Sequence, residues 1–439
     1  MQEVYLIYDI GKTNKKVLVF SEDGKVIDEY IEQLEETTDE DGFPCDDLEK
    51  LKDWVLGQYE LLQKDERYKI KAINFATYGA SFVHIDEEGK PLTPLYNYLK
   101  PFPASLKQKF LTDYFNGNAD EFALNTASPF MGMLNSGLQL YWLKHTQPHV
   151  WNKIKYSLHL PQYLSYLFTE KPLSDYTSVG CHTGLWSINR NHYHAWVFTE
   201  EIVNKLAPVN SIVIAGEKNE ISIGTGLHDS SSALIPYLQQ NKEPFILIST
   251  GTWCINLNLF NHQPLTQEEL IKDCLCYLQI TGTPVKASRI FLGKEHEHQI
   301  KRIAGYFNEP EDFYKSIIEP ASISHNFFVP ACMESSVPQP QQQASEWDLS
   351  VFKTSQEAYT ALMKGLTDLL KESIDLVLTP SASTFYIDGG FAANPLFRHF
   401  LQKNYPQKII TTASFAQATA LGAFLSIKAA VSKLNQAYK

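Results

Sequence analysis

Asp9 closes the apolar run Val4-Tyr5-Leu6-Ile7-Tyr8 and opens the polar turn Ile10-Gly11-Lys12-Thr13-Asn14. A turn this free of bulk lets backbone N–H groups approach phosphate oxygens, while lysine, threonine and asparagine side chains add charge and donors. Lys12, Thr13, Asn14 and Lys16 are therefore candidate phosphate contacts, with Lys15 as the alternative to Lys16. A second such turn, Thr250-Gly251-Thr252, and a third Gly-rich junction, Asp388-Gly389-Gly390 ahead of Asn394, extend the pattern. At that third junction a flat adenine ring could lie directly against backbone, because no side chain intervenes. The Asp9 carboxylate suits a Mg²⁺ ion held through water, since that ion takes one or two carboxylates plus phosphates and waters. Ordering its own turn is the other role open to an aspartate there. A strand and Gly-rich turn, Ile221 to Gly226, deliver His228-Asp229 to the start of a helix. A carboxylate at a helix N-terminus stays ionised and can accept a proton from a hydroxyl. It can also serve only as an N-cap.

These residues need elements to hold them. Val4 to Phe20 reads as two strands around the first turn, and Pro244 to Phe260 repeats the device around the second. Asp9 and Ser249 are 240 positions apart, which points to an internal duplication, with the boundary near 240–243. Leu48 to Leu62 has helical spacing and Ile70 to Ala76 is a buried strand. The acidic stretch Glu32 to Glu49 reads as a solvated loop or edge. Thr354-x-x-Glu357 and Ser414-x-x-Gln417 are capping boxes, and Asn394-Pro395 supplies an N-cap and N1 proline after a strand Ser383 to Ile387. Between Met333 and Trp347 a Pro/Gln tract reads as a surface loop.

Composition narrows the classes. The chain has 439 residues, 44% apolar and 20% charged, which is ordinary globular usage and room for two or three domains. Its 38 basic and 50 acidic residues give a net charge of −12, which argues against nucleic acid or an anionic membrane as partner. A small anionic ligand stays compatible, because it needs only a local pocket. The six cysteines show no disulfide framework, and the N-terminal residues enter a strand pattern at once, so the expectation is a soluble cytoplasmic protein with reduced thiols. Glu295-His296-Glu297-His298 reads as a solvated helix face, because His-x-His has no further ligand in register, and Cys274 and Cys276 read as core.

Taken in order, the motifs resemble the FGGY family of carbohydrate kinases in the actin-like ATPase superfamily. Asp9 to Asn14 looks like its first phosphate motif, Ser249-Thr250-Gly251-Thr252-Trp253 its second, and Asp388 to Leu396 its adenosine motif. Ala418-Thr419-Ala420-Leu421-Gly422-Ala423 resembles the closing helix, and Asp229 falls where the family carries its catalytic aspartate. The resemblance implies an α/β fold of two actin-like (ribonuclease H-like) domains, residues 1–242 and 243–439, each a mixed sheet flanked by helices, with an interdomain cleft. It further implies ATP and Mg²⁺, a small-molecule sugar, a monomer or homodimer, and phosphoryl transfer to a ketose hydroxyl. Asp229 would be the base, with Tyr78, Gly79, His228 and Asp229 on the sugar and Lys12, Thr13, Asn14, Lys16, Thr250, Gly251, Thr252, Gly389, Gly390 and Asn394 on the nucleotide. His228-Asp229 and Ser249 to Trp253 look most like the rhamnulose kinase branch, implying a deoxyketohexose such as L-rhamnulose or L-fuculose. A ketopentose or other polyol, or a sugar- or nucleotide-binding sensor on the same fold, are the alternatives. The chain departs from that branch on the sugar side. Tyr78 stands where it has tryptophan, Ser81 where it is acidic, Asn97-Tyr98 where it has Arg-Asp, Gln162 where it has aspartate, and Arg289 to His296 replaces its Asn/Gly-rich sugar loop.

Overall fold

The computed structural model describes residues 1–323, 347–412, 415 and 417–437. Cys332, the whole Pro/Gln tract before Trp347, and Ser414 of the last expected capping box lie outside them. The chain divides into two units: Met1–Gln240 with Cys276–Pro284 and Phe415–Lys439, and Asn241–Leu275 with Val285–Ser414.

The first unit is built on a seven-stranded mixed sheet. Gln2–Ile10 lies at its centre, antiparallel to Lys15–Ser21 and parallel to Tyr68–Thr77. Val26–Glu32 extends one side, Ile221–Gly224 and Ile214–Lys218 the other, and Leu227–His228 pairs with the end of Tyr68–Thr77. Alternate residues of the central strand serve opposite faces. Leu6 and Tyr8 pack with Leu51, Val55 and Tyr59 of the helix Leu48–Gln63 and with Tyr163 and Phe168 of the helix Leu160–Thr169. Tyr5 and Ile7 pack with Ala420, Ala423, Phe424 and Ile427 of the closing helix, Ala418–Ala437. That helix, which the sequence assigns to residues 243–439, thus folds with the first unit. Its small-residue face explains why: a Cβ on Gly422 would lie 1.8 Å from the Ser232 carbonyl oxygen, so only glycine permits this approach. A separate aromatic cluster, including Phe110, Phe122, Tyr141 and Trp196, forms the core of the segment between residues 82 and 206.

The acidic stretch from Glu32 to Glu49 departs from the expected solvated loop. It forms a small hairpin, Glu36–Thr38 with Pro44–Asp46, in which Asp39 and Asp46 are buried. Each is matched by lysine: Asp39 by Lys100 at 2.6 Å, and Asp46 by Lys12 at 2.6 Å and Lys15 at 3.0 Å. Burial of a carboxylate is tolerable only with such partners.

The second unit carries five strands of a sheet in the order Pro284–Ile290, Cys254–Asn258, Phe245–Thr250, Thr384–Gly389, Ile409–Thr412. Its first hairpin and the parallel strand beside it repeat the order and sense found in the first unit. The turns close alike, the Gly11 N–H donating to the Asn14 carbonyl and the Gly251 N–H to the Trp253 carbonyl, each at 2.9 Å. The helix Ser355–Val377 begins at Thr354, whose hydroxyl accepts from the Glu357 N–H; the Glu357 carboxylate reaches the Lys353 N–H, so the box is only half formed. Asn394 caps the helix Pro395–Asn404 as the sequence predicts. Among the described residues no helix is long and apolar enough to cross a membrane, and no group of three or more His, Cys, Asp or Glu could hold a metal ion.

Candidate functional site

The strand ends of the first sheet converge at the first turn. Asp9 stands opposite Lys16 on the hairpin and Ala76 on the parallel neighbour. Burial, with the negative charge of Asp229 adding to it, pushes the Asp9 carboxyl up to about 6. The two aspartates are therefore neighbours in charge, which their separation of more than 200 positions conceals.

The three lysines of the turn are already engaged by carboxylates. Lys12 pairs with Asp46 at 2.6 Å and Glu36 at 2.9 Å, Lys15 is 1% exposed and bonded to Asp46, and Lys16 pairs with Glu29 at 3.3 Å. Thr13 and Asn14 are exposed, and the Asn14 side-chain oxygen accepts from Gln33 at 2.9 Å. Asp46 also accepts a hydrogen bond from the Tyr78 hydroxyl at 2.7 Å, so one carboxylate joins the phosphate turn to a sugar-side candidate. Burial alone would raise the Asp46 carboxyl, but Lys12, Tyr78 and Lys15 together hold it below the usual range.

His228 and Asp229 follow from the Gly226 turn. Gly226, at φ +87°, donates its N–H to the Asn74 side chain, and Gln162 bonds both the Gly226 carbonyl and Asp175. The His228 N–H donates to the Thr177 hydroxyl at 2.9 Å. His228 is itself the N-cap position of the helix Asp229–Ser232, so Asp229 occupies the first helical residue, where its Oδ1 accepts from the N–H and the hydroxyl of Ser230. The His228 Nε2 lies 3.3 Å from Asp229 Oδ1 and 3.2 Å from Cys181 Sγ. The Asp229 side chain is 32% exposed and thus reachable by a ligand. Gly79 packs against the same ring: a Cβ there would be 2.9 Å from His228 Cδ2 and Nε2.

In the second unit, Thr250, Gly251, Gly390 and Asn394 come together around a cavity of about 490 Å³, with Gly293, His296, Tyr314, Lys315, Phe391, Ala393 and Pro395 completing its lining. The Thr250 hydroxyl donates to the Asp388 carbonyl at 2.6 Å and accepts from the Phe391 N–H at 3.0 Å, locking the junction to the second turn. Gly389 has φ +85°, and a Cβ on it would meet the Thr250 carbonyl oxygen at 1.9 Å. Gly390 has open space where a Cβ would stand, which leaves its backbone bare to a flat ligand. Asn394 donates to the Tyr359 hydroxyl at 2.7 Å and accepts from the Phe397 N–H. Thr252 is exposed and is not part of the lining; its carbonyl accepts from the Gly293 and Lys294 N–H groups.

Sequence reasoning missed Asp46, Cys181, Gly293, His296, Tyr314 and Lys315. The stretch Glu295 to His298 departs from the expected solvated face: Glu295 and His296 are buried, His296 bonds Tyr359 at 3.1 Å, and burial lowers its imidazole to about 4. A signal existed in Gly293, at the start of the helix Leu292–Phe307, where a Cβ would lie 1.8 Å from the Gly251 carbonyl oxygen.

Residues 4–203 match the model of the FGGY family of carbohydrate kinases, N-terminal domain, and residues 242–435 that of Carbohydrate kinase FGGY, C-terminal domain. The chain belongs to the FGGY family. Its relatives include a rhamnulokinase of Oceanobacillus iheyensis, 25% identical over 60% of this chain. The FGGY chain spans 58% of that relative's length. Among solved structures, a carbohydrate kinase from Novosphingobium aromaticivorans is similar with a TM-score of 0.77 at 22% identity, over 96% of this chain and 91% of its own. A ligand-bound xylulose kinase from Lactobacillus acidophilus has a TM-score of 0.77 at 16% identity, over 99% and 90%. The fold of the FGGY chain is accordingly that of two actin-like α/β units with mixed sheets flanked by helices.

Proposed function

We propose that this chain transfers the γ-phosphoryl group of ATP to a hydroxyl of a ketose, with a deoxyketohexose such as L-rhamnulose or L-fuculose as acceptor. The observation that carries the reading is Asp229. Its carboxylate starts a helix, is open to a ligand, and lies beside His228 and in the field of Asp9. An alcohol is a poor nucleophile, so Asp229 would orient the hydroxyl and take its proton as the oxygen–phosphorus bond forms and ADP departs. General-base assistance of this kind contributes about 10²–10⁴-fold. In-line placement of the reacting groups supplies much of the rest. The rhamnulokinase relative supports the choice of sugar.

Nucleotide binding is assigned to the second unit, where Thr250, Gly251, Gly390 and Asn394 line a cavity against bare backbone and Gly389 packs behind them on the Thr250 carbonyl. Mg²⁺ fits Asp9, because a hydrated cation beside a carboxyl pushed up to about 6 would relieve the charge that burial penalises. When bound, that ion would supply neutralisation of phosphate charge. His228, held by Thr177 and Cys181, and Gly79, which gives the ring room, are assigned to positioning the sugar against Asp229. The described cysteines are all buried, and we take the setting as cytoplasmic. We take the working form as a monomer or homodimer without nucleic-acid or membrane partners.

A ketopentose such as xylulose or ribulose, or another polyol, is the second reading, favoured by the sugar-side departures. Tyr78 spends its hydroxyl on Asp46, Asn97 donates to the Pro44 carbonyl at 2.9 Å, and Gln162 is committed to Asp175. A coupled ADP-release screen over L-rhamnulose, L-fuculose, xylulose, ribulose and glycerol separates the readings. The expected result is turnover on a deoxyketohexose. Sugar binding by calorimetry with no ADP formed on any acceptor would contradict kinase activity and favour a sensor.

A further inference from the structure

We propose that Lys315 is the cation that meets the polyphosphate of the bound nucleotide, on the premise that the cavity of the second unit is the nucleotide site. Charge accounting leads there. Lys12, Lys15 and Lys16, the lysines that the first turn offers to phosphate, are each neutralised by a carboxylate of their own neighbourhood. Lys315 lines the cavity with Thr250, Gly251 and Gly390, and no carboxylate pairs with it among the described residues. It is also the one charged side chain of that lining, which contains no aspartate or glutamate, so the cavity carries a net positive charge suited to an anion.

The uncharged donors nearby are largely spent. The Gly251 N–H is used on the Trp253 carbonyl, the Gly293 and Lys294 N–H groups on the Thr252 carbonyl, the Phe397 N–H on Asn394, and the Thr250 hydroxyl on the Asp388 carbonyl. An ammonium is then the group best able to answer phosphate charge. The lysine is exposed, but its backbone is anchored. It belongs to the 3₁₀ turn Phe313–Ser316, in which Phe313 is buried against Tyr359 with ring centroids 5.8 Å apart. Tyr314 lies 5.4 Å from Tyr359 and edge-on to His296 at 5.2 Å. The Lys315 N–H donates to the Asp312 carbonyl. Two aromatic anchors thus fix the point from which a four-carbon side chain sweeps the cavity mouth.

The test is calorimetric titration of Mg²⁺-free ADP into the full chain and its Lys315→Met and Lys315→Arg variants, at about 20 and about 200 mM salt. Adenosine binding is followed alongside by ligand-observed NMR. Lys315→Met should weaken ADP about fivefold at low salt, with the difference shrinking at high salt, while adenosine is unaffected and Lys315→Arg retains most of the affinity. Unchanged ADP affinity in Lys315→Met would overturn the assignment. Equal loss for adenosine and ADP would also overturn it, by moving the contact from phosphate to base or ribose. Failure of the unaltered chain to bind ADP at all would remove the premise, and the assignment with it.

Discussion

Gly79→Ala is a small change with a large expected effect on turnover. A Cβ at position 79 would stand 2.9 Å from both Cδ2 and Nε2 of His228, closer than side-chain atoms ordinarily approach. The backbone there is not in the left-handed region, so alanine is sterically acceptable to the chain itself. The imidazole must therefore retreat by about 0.5–1 Å to restore normal contact. Nε2 is the atom within 3.3 Å of Asp229 and 3.2 Å of Cys181, so the retreat loosens both contacts. Overpacking of this kind costs about 1–3 kcal/mol of stability, which a chain of this size survives. A misplacement near 1 Å at a reacting centre costs on the order of 10²-fold in rate. A coupled assay of sugar-dependent ADP release should show kcat falling by about that factor, with ADP affinity and the fold unchanged. Gly57→Ala is the control. It lies in the helix Leu48–Gln63 with nothing near its Cβ position, so alanine should leave the kinetics alone and add about 0.5–1 kcal/mol. Turnover in Gly79→Ala within about threefold of the unaltered chain, with His228 displaced in its structure, would refute the reasoning that ties ring position to rate.

Two further outcomes follow from buried charge. Burial lowers His84 and His159 to about 3 and His296 to about 4, so the unfolded chain binds more protons below pH ~6.5 and stability falls as pH drops through that value toward 4. Each ring can withdraw up to about 3 kcal/mol by pH ~4, so the midpoint of thermal unfolding should decline steadily from pH ~6.5 to ~4.5. A midpoint flat over that window would contradict neutral burial of these rings. Asp46→Asn removes the carboxylate shared by Lys12, Lys15 and Tyr78 and strands the buried Lys15 ammonium; a loss of about 3–5 kcal/mol is expected in chemical denaturation, and a loss below about 1 kcal/mol would show the network to be slack.

The local signals in the chain were strong where chemistry and geometry coincide on adjacent residues. Both hairpins, the Asn394 cap, and the delivery of His228-Asp229 by a Gly-rich turn could be read because each depends on a short run of residue types. Asp46 could not, because its meaning comes from Lys12, Lys15 and Tyr78, which tertiary packing brings to it from 31 to 34 positions away. The acidic stretch looked solvated because charge patterning does not reveal which carboxylates find lysines. His296 reads in the sequence as part of a solvated helix face, whereas its burial and its bond to Tyr359 make it a wall of the cavity. The closing helix packs with the first unit although it ends the chain, a contact that sequence order does not reveal because it says nothing of which sheet face a small-residue stripe will fit.

Asp229→Ala offers the most direct measurement. In single-turnover experiments with ATP and the acceptor found by the screen, phosphoryl transfer should fall by about 10²–10⁴-fold, while ADP binding and the unfolding midpoint stay as they were. Near-normal transfer in that variant would contradict the assignment of Asp229 as the base.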